Sequence, residues 1–217
     1  MDAHDPGMRC VAAYARRWTT ARHRPISQNA RQFLSTLPPY LFNFFPVTVT
    51  VPFQAQAPSF SLGEFRDALG MFATGVTIVT ARAADGTLVG LTANSFNSVS
   101  LDPPLVLWSL GRSAGSMPVL SAGSHYAINI LSASQKNLAQ QFAQKKTDRW
   151  ADVQFTEGIG GAPVLVGAAA SFECFNRSRY DEGDHVIFVG EVERCTHVAG
   201  ASPLLFHGGR FYTEHPL

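Results

Sequence analysis

The chain has 217 residues, with 46% hydrophobic and 15% charged residues, and its formal net charge is +1 at pH 7. This share of apolar residues excludes general disorder, and the near-zero charge gives no field that would steer the protein onto a polyanion, so we expect no nucleic-acid partner. The apolar runs are far shorter than the ~20 residues of a membrane helix, and the three cysteines form no CxxC pair. We therefore expect neither a membrane partner nor a metal site.

The first 56 residues differ in composition from the rest of the chain. Up to Phe60 there are six arginines against two aspartates, and several prolines interrupt any long element. We expect residues 1–56 to be an N-terminal extension and residues 57–217 to form a single domain. An Arg-rich, acid-poor leader is typical of a transit peptide, but a short arm or a start codon assigned too far upstream gives the same pattern.

A helix opens the predicted domain. Ser61 and Glu64 have the spacing of a capping box, which indicates a helix N-terminus. An apolar face follows at helical spacing, and the helix is expected to end near residue 75; the face consists of Phe65, Leu69 and Phe72.

Strand patterns dominate the remaining chain. Residues 76–80 are all β-branched and predict a strand. Asp85-Gly86 predicts a hairpin turn, and a second strand is expected over 87–96. A second helix is predicted from Ser134 as N-cap to about Lys145. Further strands are predicted at 105–110, 125–131, 168–175, 186–198, 204–206 and 211–212. Many short strands without a βαβ alternation predict a mainly β fold, an antiparallel barrel rather than a doubly wound sheet.

Three segments carry candidate binding chemistry. Residues 90–100 place hydroxyl and amide side chains at a strand end, which suits a flat heteroaromatic ligand, although such residues also fill turns. Residues 109–116 combine serines, glycines and Arg112, which suits a phosphate, although solvated loops have the same composition. His185 is a potential donor or acceptor at a loop-strand junction, or a solvated turn residue. The predicted strands 168–175 and 186–198 are long enough to form a hairpin across residues 180–184. The acidic residues around this hairpin are expected on its solvated face; they are Glu173, Asp181, Glu182, Asp184, Glu191 and Glu193.

Several motifs, taken in order, resemble the short-chain flavin reductases, whose fold is the FMN-binding split β-barrel. The resemblance rests on FATGVTIVT at 72–80, GLTANSF at 90–96, GDHVIFVGEV at 183–192 and GGRFY at 208–212. It implies an NAD(P)H:flavin oxidoreductase that reduces FMN or FAD with NADH or NADPH and supplies reduced flavin to a partner flavin-dependent monooxygenase. It also implies a homodimer in the cytoplasm.

The resemblance also implies site residues. His185 matches the histidine that lies by the nicotinamide, and it is the expected catalytic residue. The expected flavin-binding residues are Thr92, Ala93, Asn94, Ser95, Ser98, Val99, Ser100, Ser109, Ser113, Ser116, Arg210, Phe211 and Tyr212. Two other functions are compatible with these motifs: an electron carrier with tightly bound FMN, and a reductase of another acceptor such as a corrinoid.

Overall fold

The structure, a computed structural model, describes residues 55–144 and 148–215. The predicted N-terminal extension therefore lies outside the described residues, apart from its last two. Within the described ranges, no helix has the length and hydrophobicity needed to span a bilayer. Nor does any group of three or more His, Cys, Asp or Glu side chains in those ranges have an arrangement that would hold a metal ion.

Twelve strands and three α-helices make up the described domain. The strands are β1 Thr74–Gly75, β2 Thr77–Arg82, β3 Leu88–Ala93, β4 Asn97–Leu101, β5 Pro104–Gly111, β6 His125–Ile130, β7 Phe155–Glu157, β8 Pro163–Leu165, β9 Ala170–Glu182, β10 His185–His197, β11 Leu205–His207 and β12 Arg210–Tyr212. The helices are α1 Leu62–Gly70, α2 Met117–Ala122 and α3 Lys136–Ala143. The predicted mainly β class is confirmed.

Seven strands form one antiparallel sheet in the order β3-β2-β6-β9-β10-β5-β4. Residues from β2, β5, β6, β9 and β10 pack into one buried cluster around Trp108, Tyr126 and Phe188. Because both halves of the sheet contribute to one core, the sheet wraps around it. Its edge strands β3 and β4 do not pair with each other in the described structure, so the sheet stays open. This is a split barrel, as the resemblance implied.

The predicted strand over 87–96 divides into two. β3 pairs with β2 across the Asp85-Gly86 turn as predicted, but it ends at Ala93, and β4 begins at Asn97 to pair with β5. The break is fixed by Ser95, whose hydroxyl accepts from the Ser109 N–H at 2.9 Å and donates to the Ser109 carbonyl at 3.2 Å. Those two bonds hold the connector against β5.

The capping box of α1 is confirmed, but its end and its surroundings differ from the prediction. Ser61 N–H donates to Glu64 Oε2 at 2.8 Å, and Glu64 N–H donates to Ser61 Oγ at 3.2 Å. The helix ends at Gly70, and no residue in it is buried. The side chains of its apolar face stay exposed, namely Phe65, Leu69 and the following Phe72.

The second predicted helix begins with a different cap. Ser132, not Ser134, forms a capping box with Gln135 around a short 3-10 turn, and α3 follows directly from that turn to Ala143. Both serines are good N-caps, so composition alone does not choose between them. One face of α3 is seated in the core, since Ala139 and Phe142 are buried in a second cluster that also holds Val76.

One expected surface carboxylate is buried. Glu173 is only 5% exposed, and the Arg194 guanidinium donates to both of its oxygens at 2.5 Å. The Ile159 N–H donates to the same carboxylate at 2.7 Å. The expectation that Glu173 lies on the solvated face of the hairpin is therefore wrong, because a register shift near Val192 and Arg194 brings Arg194 next to Glu173.

Candidate functional site

A groove runs between β3, α3 and the loop that follows β5. Its larger compartment has a volume of about 760 Å³ and is lined by residues 88–92, 111, 113–116, 142–143 and 148–150. A smaller, more apolar compartment of about 360 Å³ is lined by Val76, residues 92–94, part of α3, Phe206 and Phe211. Thr92 and Ala143 line both compartments, so the two adjoin each other. We call the whole the β3–α3 groove.

Gly90 determines how closely α3 approaches β3. A Cβ at this position would lie 2.3 Å from the Phe142 ring and 3.2 Å from the Trp150 ring. The two rings meet edge to face with centroids 5.1 Å apart, and Trp150 Nε1 donates to the Leu88 carbonyl at 3.2 Å. Only a glycine at position 90 leaves room for this aromatic wall of the groove.

The hydroxyl of Thr92 is bonded to α3 and is not free to donate a hydrogen bond to a ligand. Thr92 Oγ1 donates to the Ala139 carbonyl of α3 at 2.6 Å, so its proton is already used. A ligand meets it as an acceptor only. The adjoining Asn94 is exposed in the smaller compartment, and within the described residues its amide makes no hydrogen bond. Asn94 therefore keeps both donor and acceptor capacity for a ligand.

The other end of the groove is polar and cationic. Ser113 and Ser116 line it, and the Ser116 hydroxyl makes no capping bond to α2. Arg149 lines the same compartment, and its Nε donates to the Gln144 carbonyl at 2.7 Å and its Nη1 to the Gly90 carbonyl at 2.9 Å. Among the described side chains, no carboxylate forms an ion pair with Arg149. A guanidinium with N–H groups left over, in a compartment that serine hydroxyls also line, suits a phosphate group.

His185 lies at the edge of this polar end. It is the first residue of β10 and pairs with Gly111, which lines the groove. A Cβ added to Gly111 would lie 3.8 Å from His185 Nε2, so the ring edge lies against that glycine. His185 Nδ1 lies 2.7 Å from Asp184 Oδ1. This hydrogen bond, and then the charge attraction to His185, lower the pKa of Asp184.

Comparison with known proteins adds the decisive observation. The flavin reductase like domain family matches residues 69–215, which is most of the chain. The chain belongs to this flavin reductase-like family. It is 48% identical over 148 residues to the FMN reductase (NADH) SmoA of Agrobacterium fabrum, which covers 68% of this chain and 83% of that protein.

Two further relatives are covered by the chain to different extents. The reductase component of a flavin-dependent trigonelline monooxygenase from Acinetobacter baylyi is 42% identical over 150 residues, covering 69% of this chain. Only 48% of that relative is covered, so the chain spans about half its length. The solved NADH:FAD oxidoreductase of Streptomyces globisporus, in complex with NAD and FAD fragments, matches with a TM-score of 0.68 at 41% identity, covering 71% of this chain and 93% of that one.

In this flavin reductase-like chain, the groove brings together some of the expected site residues. Thr92, Ala93, Asn94, Ser113, Ser116 and Phe211 line it. Ser95 and Ser109 are bonded to each other beside it, and His185 lies at its edge.

The remaining expected residues lie elsewhere. Ser98, Val99 and Ser100 belong to the edge strand β4, where the Ser98 N–H donates to Asn97 Oδ1 and Ser100 Oγ accepts from the Asp102 N–H. Arg210 and Tyr212 are exposed on β12, on either side of Phe211. None of the five lines the groove within this single described chain. Their assignment to the flavin stays a prediction.

Sequence patterns do not predict the wall formed by residues 148–150. Asp148, Arg149 and Trp150 follow α3 after a short gap and belong to no strand or helix. The signal available was the tripeptide itself, a charged pair and a tryptophan directly after an amphipathic helix. Its place in the groove depends on contacts with Leu88 and Gly90, about sixty residues earlier in the chain.

Proposed function

We propose that the chain is an NAD(P)H:flavin oxidoreductase that reduces FMN or FAD and supplies the reduced flavin to a partner monooxygenase component. The observation that carries this proposal is the β3–α3 groove, in which an apolar compartment adjoins one that is lined by serine hydroxyls and the Arg149 guanidinium. A flavin nucleotide has the same division, with a flat ring system at one end and phosphate at the other. Membership of the flavin reductase-like family supports the same ligand.

The residues present fit a flavin in size and in chemistry. Compartments of about 760 and 360 Å³ fall within the range of roughly 300–1,000 Å³ that is usual for pockets binding small molecules and cofactors. Ala93 and Phe211 offer apolar surface to the ring, and the Asn94 amide offers a donor and an acceptor to its polar edge. Ser113, Ser116 and Arg149 are the groups we assign to phosphate.

The reaction asks little acid-base chemistry of this chain. A bound flavin supplies a ring that accepts hydride from a reduced nicotinamide, so no catalytic triad is needed. The protein contributes binding and orientation, which alone lower the barrier substantially when two rings must stack in one geometry. We assign to His185, at the rim beside Gly111, the role of positioning the nicotinamide.

The names of two relatives guide the choice of cosubstrates. SmoA is named an NADH-dependent FMN reductase, and the Streptomyces globisporus enzyme an NADH:FAD oxidoreductase. We propose NADH as the better electron donor, with NADPH as the weaker one, and either FMN or FAD as acceptor. Either flavin is proposed because one of these relatives is named for FMN and the other for FAD.

A partner oxygenase and a dimer complete the proposal. The trigonelline relative is by name a reductase component of a monooxygenase, and a similar division of labour is proposed for this chain. A homodimer is proposed from the resemblance, and the exposed apolar side chains of α1 are consistent with a protein partner. The cytoplasm stays the location expected from the resemblance.

Flavin titration of the purified protein tests the proposed ligand. We expect micromolar uptake of FMN or FAD, seen as quenching of flavin fluorescence. Arg149→Ala should weaken this binding about tenfold, the usual worth of a charge-assisted hydrogen bond. Arg66→Ala, which removes an exposed arginine of α1, is the matched control and should leave it unchanged. Absence of flavin uptake by the unaltered protein would overturn the proposal.

A further inference from the structure

The hairpin turn that carries His185 has few contacts of its own. β9 and β10 end in the turn Gly183-Asp184, where Gly183 has φ of 58°, and every residue from 180 to 185 is exposed. The His185–Asp184 contact joins two chain neighbours, and the Asp184 side chain is 94% exposed. An exposed pair of this kind fixes little by itself. The position of His185 must therefore depend on contacts from outside the hairpin.

Besides the ladder pairing of His185 with Gly111, Arg112 supplies such contacts. Its backbone N–H donates to the Asp184 carbonyl at 2.9 Å, and its Nε donates to the Gly183 carbonyl at 3.0 Å. Its Nη2 forms an ion pair with Asp181 Oδ1 at 3.1 Å. The guanidinium thus holds both the β9 arm and the turn of the hairpin. A planar, forked group is suited to bonding two acceptors at once, which a lysine ammonium does less well.

Arg112 also stands next to the groove in sequence. It lies between Gly111 and Ser113, both of which line the polar end of the β3–α3 groove. A shift of the hairpin relative to this loop would move His185 away from Gly111. One side chain therefore couples the turn that carries His185 to the wall assigned to the flavin phosphate.

We propose that Arg112 is a positioning residue, which holds the β9–β10 turn so that His185 stands over the rim of the groove. Arg112 acts through His185 and need not touch either substrate. This inference rests on the proposed function for the role of His185. The restraint of the β9–β10 turn by Arg112 is a property of the chain alone. Loss of the Arg112 side chain should impair use of the nicotinamide while flavin binding is retained.

Hydrogen-deuterium exchange of the full-length protein, without flavin or nicotinamide, tests whether Arg112 restrains the β9–β10 turn. Arg112→Ala should speed amide exchange of residues 181–186 about two- to fivefold, the range expected for loss of an exposed ion pair and a hydrogen bond. Arg177→Ala is the matched control. It removes another half-exposed ion pair of the same hairpin, Arg177 with Glu191, whose residues do not contact the turn, and exchange of the turn should be unchanged.

Steady-state kinetics test the functional part. Arg112→Ala should raise the KM for NADH about fivefold, while the flavin dissociation constant stays within about twofold of that of the unaltered protein. Arg112→Lys keeps the charge but not the forked guanidinium, and its KM for NADH should lie between the values of Arg112→Ala and the unaltered protein. Unchanged exchange in Arg112→Ala, or equal loss of nicotinamide and flavin affinity, would overturn the inference. If the unaltered protein oxidises no NADH, the proposed function fails, and the exchange result still decides whether Arg112 holds the turn.

Discussion

At the scale of single residues, the serines and threonines of the candidate site divide by where their protons go. Thr92 and Ser95 donate to backbone carbonyls and shape the groove, whereas Ser116 makes no capping bond at its edge. Sequence patterns identify such residues as hydrogen-bonding groups, but they do not show which of them are already satisfied. That distinction depends on Ala139 and Ser109, which the fold brings close to them.

His185 is the residue whose removal best separates the two cosubstrates. His185→Ala should raise the KM for NADH about tenfold, because the nicotinamide loses a positioning contact, and should leave flavin affinity within about twofold. Initial rates at varied NADH and a flavin titration measure the two effects. His197→Ala, at the far end of the same strand, is the control. Unaltered NADH kinetics in His185→Ala would contradict the assigned role.

The ionisation of Glu173 should make the stability of the fold depend on pH. Burial alone raises the pKa of Glu173, but hydrogen bonds from Arg194 and the Ile159 N–H outweigh it and hold that pKa below its ordinary value of 4.5. A carboxyl with a lowered pKa in the folded state stabilises the fold above the unfolded-state pKa, and this contribution is lost as the pH falls through the folded-state pKa.

Glu173→Gln should therefore destabilise the protein at pH 7 by about 1–3 kcal/mol and reduce the loss of stability below pH 4.5. Urea unfolding between pH 3 and 7 provides the measurement. Glu157→Gln removes a mostly exposed carboxylate that pairs with Arg82, and it should change little. Equal effects of the two substitutions would refute the special role of Glu173.

At the scale of elements, local patterns predicted turns well and junctions poorly. The hairpins at Asp85-Gly86 and Gly183-Asp184 were predictable because each turn is encoded by adjacent residues. The end of β3 and the cap of α3 were not, because the first depends on the Ser95–Ser109 bond and the second on a choice between two serines. The wall at Arg149 depends on packing against β3 and has no local signature.

Gly90→Ala tests how α3 is seated on β3. The added methyl would overlap the Phe142 ring, so we expect a loss of about 1–3 kcal/mol in stability, the usual cost of overpacking a core. Flavin affinity should fall as well, since Phe142 and Trp150 line the groove. Thermal unfolding and flavin titration measure both. Gly75→Ala is the control, because a Cβ there meets no atom within 4 Å; similar losses in both variants would refute the steric account.

At the scale of the whole molecule, the class of fold followed from the sequence, but the groove did not. Frequent short strands predict an antiparallel barrel, and the order of the motifs predicts which barrel it is. The groove arises from three regions that are distant in sequence, namely β3, the loop after β5, and α3 with residues 148–150. No sequence periodicity predicts that these three regions lie together, so only the resemblance indicated a flavin site.

Self-association is the expectation that concerns the outer surface. Leu69 of α1 is 58% exposed and Phe72, just after the helix, is 77% exposed, and a cluster of such side chains favours burial against a second chain. We expect light scattering to give twice the mass of one chain, and Phe72→Glu to shift the protein toward the monomer. Val198→Glu, at an exposed apolar residue of the loop after β10, is the matched substitution and should not. A monomeric unaltered protein would remove the dimer from the proposal.

Anaerobic reduction of free flavin tests the central claim most directly. A small amount of the protein is mixed with a large molar excess of FMN or FAD and then with NADH, while the absorbance of the flavin and of the nicotinamide is followed. A flavin reductase releases its product, so the account predicts that the whole flavin pool is reduced, one NADH consumed per flavin. Reduction of a single equivalent of flavin per chain, or none, would contradict it, and the former result would identify an electron carrier instead.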